Sequence, residues 1–376
     1  MVAIYRRGFL PLSETFIADH IKSLNRYHPF VMADDIVGGH YQDDQELHLL
    51  HAPNASKWSR IGSRLTGRNR YLDGQWKARS AGLIHAHFLQ DGAGILPFAF
   101  RRGIPLVVTA HGYDATVTPR EHARRTEGLL YLMLKPFLMR YADGIICVSH
   151  WIKQCLLEAG YPEHKLRVIR LGIDPASLPH IASPSLRRGA LFVGRLVEKK
   201  GVNFLLDAWA KLPPRLRDEP LTIIGDGPML AMLKEQARRL GIAPDFLGPQ
   251  PREAVFAAMA RHRIFAMPSV RAANGDSEGL PIVLMEAQAM GMAVVAFDDG
   301  PMREAIKPGR TGLLAQTRDT GDYALHLERL LHSADLCDAF GREGRQLVDD
   351  QFHIRSNMAV LEDYYDEIIA RREQRP

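Results

Sequence analysis

The chain has 376 residues, 46% of them hydrophobic and 24% charged, with a formal net charge of +5. That length suits two domains of roughly 100–200 residues each, and the composition excludes disordered, fibrous and disulfide-scaffold classes. No apolar run reaches the roughly 18 residues of a membrane-spanning helix.

The opening MVAIYRRGFLPLSETF breaks its apolar stretch too early for a secretory signal. Ser13, Glu14 and Thr15 sit in what reads as the first strand-to-helix loop, where Ser13 suits a helix cap. Between Ser56 and Arg79, seven basic residues (Lys57, Arg60, Arg64, Arg68, Arg70, Lys77, Arg79) face one acid, Asp73, with Trp58 and Trp76 among them. Such a run is either a solvated face or a patch for anionic lipid or a phosphorylated acceptor. No nucleic-acid motif accompanies it, so nucleic acid is not expected as a partner.

Short, nearly continuous apolar runs follow at 83–85, 106–109, 144–148 and 166–169. They read as strands buried on both faces of a parallel sheet. Between them, 129–141 (LLYLMLKPFLMRY) is apolar with Lys135 and Arg140 spaced through it. It reads as a core helix or, alternatively, as an interfacial one that meets a membrane. Cys147, Cys155 and Cys337 show no C-x-x-C spacing and read as reduced thiols of a cytosolic protein.

A Ser-, Pro- and Arg-rich break falls at 181–189 (IASPSLRRG), and a fresh run of strands follows at 190–193, 221–224, 264–267 and 293–297. Phe204, Leu205, Ala208 and Trp209 repeat with helical spacing between the first two. The expected architecture is α/β, with two doubly wound domains facing across a cleft. Its parts are an N-terminal domain at 1–180, a linker at 181–189, a second domain at 190–353, and a final helix at 354–376 that packs back on the first domain.

The second half carries the chemistry. In LFVGRLVEKKG (191–201) a strand ends, Gly194 turns the chain, and Arg195 and Lys200 bracket the approach to a helix, an arrangement suited to an anion such as a diphosphate. LTIIGDGP (221–228) places Gly225 in a strand-end turn, which is either an ordinary turn or a ligand contact. FLGPQ (246–250) is a similar turn, with Pro249 where a nucleobase could rest. The segment from Ser269 to Gly291 is the richest. Pro281 suits the first turn of a helix, so backbone N–H groups around it, from Gly279 and Leu280 to Ile282, are expected to lack partners and to favour phosphate. Glu286 lies about 7–8 Å further along that helix. Glu278 and Glu286 can therefore grip opposite ends of one ligand, where a lone glutamate would only complement the helix dipole. Asp298 and Asp299 read as a solvated loop rather than a metal site, and no essential metal or cofactor is expected.

Glu278 and Glu286 with seven residues between them, preceded by GRLVEKKG and GDGP, resemble retaining GT-B glycosyltransferases of family 4. In the first half, PLSETFI (11–17), HAHF (85–88), TAHGYD (109–114), CVS (147–149) and RLGID (170–174) resemble the bacterial exopolysaccharide subgroup, including colanic-acid-type enzymes. The resemblance implies that Arg195 and Lys200 neutralise a departing nucleotide diphosphate. Glu278 would meet the transferred sugar, Glu286 the ribose, and His111 the donor sugar and acceptor. Many relatives carry paired glycines where this chain has PLSET, which leans Ser13, Glu14 and Thr15 towards the acceptor or the helix start. The implied reaction moves a hexosyl group, with UDP-sugar the expected donor, to a saccharide or polyprenyl-linked acceptor. The expected location is the cytoplasm, with peripheral attachment to the inner face of its membrane. A UDP-GlcNAc 2-epimerase-like enzyme and a non-catalytic nucleotide-sugar-binding protein are the alternatives on the same fold.

Overall fold

A computed structural model of the chain describes residues 1–9, 15–36, 47–49, 57–69, 72–74, 76, 81–179 and 187–374. These residues form two compact units, Met1–Leu171 with Ile354–Pro376, and Gly172–His353.

In the first unit the strands are β1 (Val2–Tyr5), β2 (Gly8–Phe9), β3 (Pro29–Ala33), β4 (Asp35–Ile36), β5 (Leu47–Leu49), β6 (Leu83–His87), β7 (Leu106–Ala110), β8 (Gly144–Cys147) and β9 (Leu166–Val168). Seven of them make one sheet in the order β5-β3-β1-β6-β7-β8-β9, and β2 pairs with β4. Every pairing in the large sheet is parallel. The residues of β1, β6, β7 and β8 are all buried, because helices cover both faces and leave no solvent side for polar alternation. β1 and β3 were not among the runs picked out from sequence, although VAIY and PFVMA carry the same signal.

The final helix, Ile354–Glu373, belongs to this first unit. Met358, Leu361, Tyr364, Tyr365 and Ile368 join Val2, Ile4, Ile21 and Val31 in one core. Glu362 anchors it: the carboxylate accepts from the amides of Asn25 at 2.8 Å, Arg26 at 2.7 Å and Tyr27 at 3.1 Å.

The second unit contains β10 (Arg188–Val193), β11 (Leu221–Ile224), β12 (Asp245–Gly248), β13 (His262–Met267), β14 (Ala293–Phe297) and β15 (Gly312–Ala315), in the parallel order β12-β11-β10-β13-β14-β15. Both sheets are doubly wound, as expected. The boundary differs from the sequence reading. The units divide between Leu171 and Gly172, because the Ile173 amide donates to the Phe352 carbonyl at 2.9 Å and Ile173 bridges to His353. Residues 172–179 thus belong with the second unit, and 180–186, most of the linker read from sequence, lie outside the described residues.

Candidate active site

At the carboxyl end of β10 the chain turns through Gly194, and a short helical turn, Glu198–Lys200, leads to Gly201 and the Val202–Ala210 helix. Gly201 has φ 63°, and a Cβ there would lie 1.9 Å from the Pro268 carbonyl oxygen. Only glycine lets this turn seat against the end of β13. Gly225 has the same kind of requirement: with φ 137°, its Cβ would fall 1.9 Å from the Gly194 carbonyl oxygen. The Gly194 amide donates to Ile224 at 3.0 Å, Leu196 to Asp226 at 2.8 Å, and Gly225 to Gly248 at 2.9 Å. The three strand-end turns therefore lock to one another through backbone. Gly225 is required by that packing, and Pro249, next to Gly248, is exposed.

The loop from Ser269 to Gly279 is tied to the same turn. The Val270 amide donates to the Lys199 carbonyl at 2.8 Å, and the Ala273 amide to the Glu198 carboxylate at 2.9 Å. Within this frame Lys200 Nζ lies 2.9 Å from Glu278 Oε1, and Ser269 Oγ donates to the same oxygen at 3.3 Å. Lys199 Nζ donates to Asp276 Oδ1 at 2.9 Å. Both adjacent lysines, not Lys200 alone, thus point into the site. Asp276 completes the cluster and was not singled out in the sequence; its one signal was an acid inside a glycine-containing loop.

Burial alone would raise the Glu278 carboxyl, but Lys200 and Lys199 outweigh it and hold it below its ordinary value. Burial pulls the Lys199 ammonium down, and Glu278 and Asp276 more than reverse this. Asp276 ends above its ordinary value, because burial exceeds the pull of Lys199. The Arg195 side chain is exposed and makes no hydrogen bond or ion pair among the described residues. Lys199 and Lys200 are each paired with a carboxylate, so Arg195 is the cation of this turn without an ion-pair partner among the described residues.

Pro281 caps the Ile282–Ala289 helix rather than opening its first turn, with φ −76° and ψ 108°. Its carbonyl accepts the first bond, from Leu284 at 3.1 Å. The amides of Leu280, Ile282 and Val283 donate to no acceptor among the described residues. These are the donors that a helix start offers an anion. One turn on, Glu286 pairs with Arg252 at 3.2 Å, a cation that sequence reading missed. Asp298 pairs with Arg303, and Asp299 accepts the Arg271 amide at 3.1 Å.

In the first unit His111 follows β7, beside β6, where Thr109 is in register with His87. His111 Nε2 lies 2.9 Å from His87 Nδ1, and its ring packs against Phe88 at 4.6 Å and Phe16 at 5.2 Å. The backbone is held by Asp114, which accepts from the amides of His111 at 3.0 Å, Gly112 at 2.9 Å and Leu89 at 2.9 Å. Burial pushes the His111 and His87 imidazoles well down, and pushes His85 down to about 3. All three are neutral near pH 7. Ser13 and Glu14 lie outside the described residues; Thr15 opens the Thr15–Lys22 helix.

Two family models match the chain: "Glycosyltransferase Family 4" over residues 14–177 and "Glycosyl transferases group 1" over residues 180–347. The chain belongs to the family 4 glycosyltransferases. Among curated family relatives, the amylovoran biosynthesis glycosyltransferase AmsK of Erwinia amylovora is 32% identical over 199 residues, 52% of this chain and 49% of that one. A GDP-mannose-dependent phosphatidylinositol monomannoside mannosyltransferase of Mycolicibacterium smegmatis is 35% identical over 58% of this chain and 61% of its own. The chain thus spans about half to under two thirds of the length of these relatives. The fold matches HepE of Anabaena in complex with UDP and glucose, with a TM-score of 0.78 at 18% identity over 97% of this chain and 99% of that one. Sucrose-phosphate synthase of Thermosynechococcus elongatus matches with a TM-score of 0.76 at 17% identity, over 98% and 99%. The GT-B glycosyltransferase architecture is therefore that of this family 4 chain.

Proposed function

We propose that the chain transfers a hexosyl group, with retention of configuration, from a nucleoside-diphosphate sugar to a saccharide or lipid-linked saccharide in polysaccharide assembly. The observation that carries this reading is the Lys200–Glu278 pair at 2.9 Å beside the partnerless amides of the Ile282–Ala289 helix. The costly step is departure of the nucleotide diphosphate, which gathers negative charge. Lys200, Arg195 and the helix amides are preorganised to receive it. Glu278, ionised and buried, faces the positive charge that grows on the sugar, and the leaving phosphate takes the acceptor's proton. The cations supply the charge that a divalent metal would, so the reading includes no metal.

The uridine nucleotide is part of this reading. A second donor is favoured by one observation: relatives 30–35% identical are named GDP-mannose-dependent. A thermal-shift series with UDP- and GDP-sugars separates them, since a ligand at 100 times its Kd adds about 2.7 kcal/mol of stability. NMR of the product anomeric proton then reads retention. Sugar turnover without any acceptor would instead indicate an epimerase and overturn the proposal.

Attachment to anionic membrane also belongs to this reading. On the Thr126–Tyr141 helix, Gly128, Tyr131 and Leu138 are buried, while Leu129, Met133 and Phe137 repeat every four residues on an exposed stripe. The helix is thus a core element on one face and apolar to solvent on the other. The basic run upstream offers less than its sequence suggests, because Arg60 pairs with Asp35 and Arg64 with Asp34; Arg70, Lys77 and Arg79 lie outside the described residues. No described helix is long and apolar enough to cross a membrane. Co-sedimentation with anionic vesicles, lost in a Met133→Glu, Phe137→Glu variant, is the expected result.

A further inference from the structure

Two histidines of the HAHF motif take no part in the mechanism above, yet both are buried beside His111. His85 is saturated: Nδ1 meets the Tyr365 hydroxyl of the final helix at 2.5 Å, and Nε2 meets Thr109 Oγ1 at 2.6 Å. Its ring stacks on His87 with centroids 4.6 Å apart and planes 28° apart. His87 in turn reaches His111 through the 2.9 Å contact. Phe16 and Phe88 confine the His111 ring without directing its nitrogens, so His87 is the polar group that orients it.

A neutral imidazole has one donor and one acceptor nitrogen, so a contact between two neutral rings holds a single proton. It sits either on His111 Nε2 or on His87 Nδ1. The other His111 nitrogen, Nδ1, is buried with no partner. A buried N–H without an acceptor is the costlier of the two defects. The proton therefore belongs on His111 Nε2, and Nδ1 carries a bare lone pair.

We propose that His87 is a positioning residue: by accepting the His111 Nε2–H at its Nδ1, it fixes the His111 ring in one orientation and in the tautomer with its proton on Nε2. The proposal rests on the reading of His111 as a substrate-contacting residue of hexosyl transfer. It gives His87 a role distinct from packing, because the ring-nitrogen position, and not ring volume, carries the effect. Asparagine keeps a polar oxygen near the position of Nδ1; leucine keeps bulk and loses the acceptor.

The test uses the full chain with 15N-labelled histidine, with long-range 1H–15N spectra of the wild type, His87→Leu and His87→Asn, and donor kcat and KM for each. The wild type is expected to show His111 as a single Nε2–H tautomer. His87→Leu is expected to mix the tautomers and lower kcat about tenfold or more, the scale of a misplaced catalytic contact, with little change in donor KM. His87→Asn restores the single tautomer and most of kcat. An Nδ1–H tautomer in the wild type, an unchanged His111 in His87→Leu, or equal loss in both variants overturns the proposal. If the wild type transfers no sugar, the functional reading fails, and the tautomer spectra still decide the His87 contact.

Discussion

Lys200 Nζ and Glu278 Oε1 stand 2.9 Å apart with both side chains almost wholly removed from solvent, at 14% and 10% exposure. A buried pair of this kind is a weak source of net stability but costly to break from one side. Lys200→Ala is expected to slow transfer about 10²–10³-fold. It also destabilises the fold, because Glu278 loses its nearest cation. Adding Glu278→Gln returns part of the stability and none of the activity. Urea unfolding beside initial rates reads both; a stable, active Lys200→Ala enzyme would exclude the leaving-group role.

Arg195 separates rate from stability. It is exposed and without an ion-pair partner among the described residues. Arg195→Ala is expected to lose activity on the same scale, about 10²–10³-fold, while unfolding free energy stays within about 0.5 kcal/mol. A large drop in stability would show that Arg195 supports the fold instead.

Glu286 and Arg252 make the half-exposed pair at 3.2 Å. Such a pair adds about 1 kcal/mol or less to stability. Glu286→Gln is therefore expected to leave the melting temperature nearly unchanged and to raise the Kd for the bare nucleoside diphosphate, measured calorimetrically. Unaltered nucleotide affinity would remove Glu286 from the ribose role.

The buried histidines set the acid limit. His85, His87 and His111 have imidazoles pushed down in the folded chain, His85 to about 3. The unfolded chain takes up a proton at each near pH 6.5, and the folded chain does not, so stability present above that pH is lost as pH falls below it. Each histidine contributes a slope of about 1.4 kcal/mol per pH unit until its folded value is reached. Denaturant midpoints between pH 7 and 5 should fall steeply, and less steeply in His85→Gln. A flat profile would mean these rings are protonated in place.

Gly225 tests the frame rather than the chemistry. A methyl group there meets the Gly194 carbonyl oxygen at 1.9 Å, at φ 137°. Gly225→Ala is expected to cost about 2 kcal/mol or more and to reduce activity by shifting the turn that carries Arg195. An alanine variant with wild-type melting and kinetics would show that the turn adapts.

By itself the sequence determined the parallel sheets and the local backbone form of the segment from Ser269 to Gly291. Short, continuous apolar runs rich in valine, such as LVVTA and AVVAF, read as strands covered on both faces. Glycines at 201 and 225, with Pro281 and Glu286 beyond them, mark turns and a helix start through local backbone chemistry. What only the tertiary structure decided are the pairings over long separations. Lys199 takes Asp276 and Lys200 takes Glu278, Arg252 finds Glu286, and His87 finds His111. Residue type and local spacing say which groups are present. Which cation neutralises which carboxylate, and which ring nitrogen stays free, depends on strand ends that only the folded sheets bring side by side.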